Sequence, residues 1–107
     1  MPDPADRRQS ERFPVTADTQ CQFIAAVVED LGAARIKNVS MEGIGLILSR
    51  KVNVGTTLTI RIENKSRSFS KLVLVRVAHA TPQGGTFLVG GTFDTPLTYQ
   101  ELSCLVM

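Results

Sequence analysis

Thr57-Leu58-Thr59-Ile60-Arg61-Ile62 decides the fold. Apolar residues occupy every second position, the mark of a strand with one face buried and the other in water. Leu58, Ile60 and Ile62 point inward, and Thr57, Thr59 and Arg61 face solvent. Before this stretch, Ile44, Leu46 and Leu48 alternate with Gly45 and Ile47, and Val52-Asn53-Val54-Gly55 supplies a turn, so the two strands read as a meander. After it, Asn64-Lys65-Ser66-Arg67 forms a polar hairpin into a strand from Ser70 to Ala80. That strand has Val73, Val75 and Val77 on one face, with Leu72 and Leu74 on the other until Arg76, which predicts a cover on both sides at one end. Pro82-Gln83-Gly84-Gly85 turns the chain into a strand from Thr86 to Phe93, where Phe87 and Phe93 share the parity of core residues. Earlier strands run from about Gln20 to Val28 and from Ala33 to Val39.

The period changes near the C-terminus. Pro96 suits the first turn of a helix, Thr98-Tyr99-Gln100-Glu101 matches a capping box, and Leu102, Leu105 and Val106 recur at helical spacing. The expected architecture is all-β: a six-stranded antiparallel barrel with a C-terminal α-helix, for whose apolar stripe Leu72 and Leu74 are one candidate partner.

With 107 residues, 43% hydrophobic and 21% charged, the chain has room for one globular domain. It has no apolar run near the ~20 residues that cross a bilayer, and its start lacks the pattern of a signal peptide, so a cytoplasmic protein without membrane insertion is expected. Cys21 and Cys104 read as small packed thiols, with no Cys/His spacing for zinc. His79, the lone histidine, reads as a surface or partly packed side chain; Asp94 and Glu101 form no acid–base pair, and Ser40 has no local base. No catalytic residue, metal ligand or cofactor is assigned, and an enzyme is not expected.

A formal net charge of +2 is too small to draw a long polyanion over the whole surface, and aromatic residues are few, so nucleic acid is not the expected partner. Charge is instead concentrated locally. Residues 1–12 form a polar segment in which Arg7, Arg8 and Arg12 lie among Asp3, Asp6 and Glu11, and the barrel domain with its helix follows over residues 13–107. Arg8 and Arg12 share one side whether the segment is helical or extended, and a guanidinium fork matches both phosphate oxygens and the N7/O6 edge of guanine. A second group, Asn38-Val39-Ser40-Met41-Glu42-Gly43, offers short polar side chains at a turn, with Gly43 able to take a positive φ. Each group alone reads most simply as a solvated charge run or a capped turn. Their joint occurrence, in order and on these strands, carries more.

The RxxxR of Arg8 to Arg12 and the NxSxxG of Asn38 to Gly43 resemble the paired motifs of PilZ domains, receptors for cyclic di-GMP. Val75-Arg76-Val77-Ala78-His79 and Val89-Gly90-Gly91-Thr92-Phe93 are similar to that family's last two strands, so the likeness covers roughly residues 7 to 107. It implies a PilZ-type, split-barrel-like fold, and a ligand site at Arg8, Arg12, Asn38, Ser40 and Gly43, with Asn38 where the pattern takes either Asp or Asn. It also implies that Arg7 favours an intercalated pair of nucleotides, two molecules per chain. Such a receptor carries no output enzyme and acts by changing its surface toward a separate downstream protein, not identified by the sequence. The alternative is a PilZ-like adaptor that works through protein contacts without nucleotide.

Overall fold

The computed structural model describes residues 12–25 and 34–106, with side chains for 12–22 and 34–106. The chain runs β1 (Thr19–Ala25), β2 (Ala34–Val39), β3 (Gly43–Leu48), β4 (Thr57–Asn64), a 3₁₀ turn (Lys65–Arg67), β5 (Phe69–Gln83), β6 (Thr86–Phe93) and α1 (Tyr99–Val106). Residues 26–28 and 33, expected at the ends of the first two strands, lie outside the described residues.

β4 shows why a sheet forms. Leu58, Ile60 and Ile62 are buried while Thr57, Thr59 and Arg61 are half-buried or exposed, so period-two burial holds along the strand. Val73, Val75 and Val77 of β5 join the same core, as do Ile44, Leu46 and Leu48 of β3 and Val89 and Phe93 of β6, with Phe87 packed against it. The strands form one antiparallel sheet in the order β1-β4-β5-β6-β3-β2, curled until β1 and β2 approach each other and the barrel is nearly closed.

That order corrects one expectation. β3 and β4 are not a meander: β3 pairs with β2 and β6, and β4 pairs with β1 and β5. The intervening segment is anchored instead of tight, with Val52 buried and the backbone of Gly55 and Thr56 bonded to Val77 of β5. It carries the chain across the barrel end, which a short hairpin cannot do. The hairpin between β5 and β6 is tight, with Gly84 and Gly85 at φ of 55° and 90°, the left-handed pair that a two-residue turn requires.

The helix packs differently from the expectation as well. Leu102 and Leu105 enter the barrel core, and Leu72 and Leu74 stay 51% and 44% exposed, so the outer leucines of β5 are not its partner. Pro96 lies before the helix; Thr98 is the N-cap, its Oγ1 accepting from the Glu101 N–H at 3.1 Å while Glu101 Oε1 accepts from the Thr98 N–H at 2.9 Å. Leu97 and Leu102, on either side of this cap, are both buried, which sets the angle at which the chain enters the helix. Lys71 Nζ reaches both Glu101 oxygens at 2.8 and 2.9 Å. At the other end, buried Asn64 donates its Nδ2 to the Cys104 carbonyl at 2.9 Å, and the Leu105 carbonyl accepts from the Thr16 N–H and the Thr19 hydroxyl. These contacts satisfy carbonyls that a helix end leaves without intrahelical donors.

Candidate functional site

The chain leaving the N-terminal segment is fastened to the barrel by one antiparallel bridge. Phe13 and Val39 exchange backbone hydrogen bonds of 2.8 and 2.9 Å, so residue 12 lies beside residue 38 although 26 positions separate them in the chain. Arg12 Nη1 then donates to Asn38 Oδ1 at 3.1 Å. Because a guanidinium has only donors, this contact orients the Asn38 amide and turns its NH₂ away from the arginine.

Register extends the site across the sheet. Asn38 pairs with Gly45, Gly45 with Gly90, and Gly90 with His79, so four residues on β2, β3, β6 and β5 form one row on the outer face. With strands ~4.8 Å apart, the row spans on the order of 14 Å along the curved sheet. Its two central members have no side chain, which leaves a trough with a backbone floor and a wall at each end. The cavity above it holds about 210 Å³ and is lined by Arg12, Lys37, Asn38, His79 and Leu88 around the glycines. That is below the ~300 Å³ at which drug-sized pockets begin, so it suits one planar group of a larger ligand, with the rest lying over the open rim.

Each wall is set by an irregularity in its strand. The β2–β3 register shifts between Ile36 and Asn38, leaving Lys37 as an extra residue, and the β5–β6 register shifts between Val77 and His79, leaving Ala78 as another. Bulges of this kind re-aim side chains and bend the strand locally. Here they let Val77 stay in the core while His79 faces outward, and they bring both Lys37 and Asn38 to the cavity. Among the described residues the lining contains the cations Arg12 and Lys37 and no carboxylate, an arrangement that favours an anion.

The turn below the trough is held by Ser40. Its buried hydroxyl accepts from the backbone N–H of Gly43 at 3.1 Å and of Glu42 at 3.2 Å and lies 3.4 Å from the Gly43 carbonyl. Gly43 is glycine for a reason other than the expected one. It is not among the described residues with positive φ; a Cβ there would collide with the Gly91 carbonyl oxygen of the neighbouring strand. At Gly45 a Cβ would come within 2.5 Å of Asn38 Oδ1 and 3.3 Å of Arg12 Nη1, so this position must be bare for the Arg12–Asn38 pair to lie over it.

The structure thus places Arg12, Asn38, Ser40 and Gly43 within one region: Arg12 and Asn38 line the cavity, and Ser40 and Gly43 shape its supporting turn. Arg7 and Arg8 lie outside the described residues. Lys37, Gly45, His79 and Gly90 were missed as site residues, because their shared position depends on which strands are neighbours. Only the glycines in otherwise apolar strands hinted at a close approach.

Among the described residues no three His, Cys, Asp or Glu side chains converge to hold a metal ion. Burial pushes the Cys21 thiol up to about 11, which keeps it protonated and poorly nucleophilic near neutral pH. No described helix is long and apolar enough to cross a membrane.

No curated protein matches the chain. A family model described as PilZ domain matches residues 6–107, from within the arginine segment through the barrel to the end of the terminal helix. Together with the nearly closed six-stranded barrel and its single helix, the match shows that the chain belongs to the PilZ domain family, whose members serve as receptor or adaptor domains.

Proposed function

We propose that this protein is a cyclic di-GMP receptor that changes its surface on binding and so regulates a separate protein. The observation that carries the reading is the convergence of Arg12 and Asn38 above the bare backbone of Gly45, in a cavity lined by cations, on a PilZ-family chain. Guanine offers two acceptors on one edge and the phosphodiester offers anionic oxygens. Arg12 can serve either as a fork, and the Asn38 NH₂ can donate to a guanine acceptor while its carbonyl oxygen receives Arg12. Ser40 and Gly43 hold the turn that presents Asn38. Arg8 and Arg7 extend the arginine set along the same segment, with Arg7 stacking on a base in an intercalated pair of nucleotides, two per chain. Binding would draw this segment over the trough and alter the face around Phe13 and Pro14, giving a partner a changed surface.

Calorimetry with cyclic di-GMP, cyclic di-AMP, GTP and an oligonucleotide tests this directly. Tight binding of cyclic di-GMP alone, near two per chain, is expected, with affinity reduced at least tenfold in Arg12→Ala and in Asn38→Ala. At a ligand concentration one hundred times Kd, linkage adds about 2.7 kcal/mol of stability, equivalent to a rise in Tm on the order of 10 °C. Absence of heat and of any Tm shift at saturation overturns the receptor reading and leaves the nucleotide-independent adaptor.

A further inference from the structure

We propose that the outer face of β5 ahead of the Ala78 bulge pairs with the same face of a second copy of this chain, in a two-fold dimer. Ser70, Leu72, Leu74 and Arg76 point outward there in succession and are exposed, while Val73, Val75 and Val77 fill the core. Opposite them on β4 stand Glu63, Arg61, Thr59 and Thr57. Leu72 and Leu74 thus form an apolar strip that the helix leaves uncovered. Glu63, beside Ser70, bounds it at one end and Arg76 bounds it at the other. None of these residues lines the trough, so pairing needs no nucleotide and stands apart from the receptor reading.

Charge identifies the occupant. Along the strip the order is acid, apolar, apolar, base. A two-fold axis lying between the two faces and crossing β5 at Val73 inverts that order in the copy, as an isologous contact requires. Leu72 then meets Leu74 of the second copy, and Arg76 lies over the facing Ser70, one strand spacing of ~4.8 Å from the facing Glu63. Arg61 faces a threonine, Thr59, so no cation is set against a cation. A partner of one charge sign would satisfy one end of the strip and repel the other. Facing sheets pack ~10 Å apart with their side chains interdigitated. Beside the leucines a hollow of about 330 Å³, bounded by Asp94 and Thr95, leaves room for a facing leucine. With two leucines from each copy, the contact falls in the weak class below ~1,200 Å² and forms at high protein concentration.

Sedimentation equilibrium of the nucleotide-free chain, with concentration raised to roughly 1 mM, tests the proposal. The average mass should move from one chain toward two. The double variant Leu72→Ser, Leu74→Ser should stay at one chain throughout and keep its Tm near wild type, because both positions face water. Arg76→Glu and Glu63→Arg should each weaken association about tenfold, since two-fold symmetry makes every like-charge contact occur twice. An equimolar mixture of these two variants should regain wild-type association, because in the mixed dimer both end contacts again join opposite charges. Wild type that remains one chain at the highest concentration, a dimer that survives in the leucine double variant, or a mixture no stronger than either charge variant alone would overturn the dimer.

Discussion

Asn38 and Asn64 are the same residue at strand ends, yet their surroundings are opposite. Asn64 is 2% exposed, and its Nδ2 lies 2.9 Å from the Cys104 carbonyl and 3.3 Å from the hydroxyls of Thr16 and Thr19, joining β4, the N-terminal segment and the helix. Asn38 is half-buried, and among the described residues its bond is to one exposed arginine. The first amide has its donors committed to holding the fold together. The second retains donor capacity beside a cavity and an exposed cationic partner. A polar side chain therefore reads as structural or ligand-directed according to what already satisfies it, not according to its type.

The largest expected effect breaks the Asn64 side of this contrast. Asn64→Ala leaves the part-buried Cys104 carbonyl and the Thr16 hydroxyl short of a donor and takes a second donor from the Thr19 hydroxyl, and should lower stability by about 2–3 kcal/mol. Urea unfolding should show this as a lower midpoint, with Tm falling by roughly 10 °C. Nucleotide affinity of the folded fraction should stay near wild type, because Asn64 is remote from the trough. A large affinity loss at unchanged stability would reverse the roles assigned to the two asparagines.

Gly45→Ala probes the other side. The added methyl group meets the ends of Asn38 and Arg12, both able to move, and replacing glycine also lowers the entropy of the unfolded chain. Stability should change by less than about 1 kcal/mol, while cyclic di-GMP affinity falls as the Arg12–Asn38 pair is displaced. Wild-type affinity in a folded Gly45→Ala protein would show that this pair need not lie over the glycine for binding.

The smallest effect sharpens the comparison at the helix that Asn64 anchors. The hydrogen bonds from Lys71, and then from the Thr98 backbone, hold the Glu101 carboxyl below its ordinary value of 4.5. A carboxylate lowered in the folded state adds stability above its unfolded value and loses it as the pH falls through the folded one. The Lys71–Glu101 pair is partly exposed, so Glu101→Gln should cost about 0.5 kcal/mol near neutral pH. The difference between wild type and variant, followed by thermal unfolding from pH 7 to 2, should shrink below 4.5. A difference that grows with acid would mean that the pair does not stabilise the folded state.

Much of the architecture was legible because the relevant physics is local. Alternation from Leu58 to Ile62 named the buried face of β4, and Thr98 with Glu101 named the helix start through a reciprocal cap. The paired motifs pointed to Arg12 and Asn38 before any contact between them was known. Legibility ended where one residue had two possible neighbours. Leu72 and Leu74 looked like a second buried face, but the helix stripe found the barrel end and left them in solvent. Gly43 looked like a turn glycine, whereas the constraint comes from a carbonyl on β6.

By itself the sequence determined the strand periods, the terminal helix, the arginine segment and the motif turn, since each depends on side chains a few positions apart. Only the tertiary structure decided that Asn38, Gly45, Gly90 and His79 form one row under Arg12. Period-two alternation says which way a side chain faces, but not which strand lies beside it. That choice depends on the long crossover between β3 and β4 and on bulges that shift register by one residue, and one residue is enough to move His79 from the core to the site.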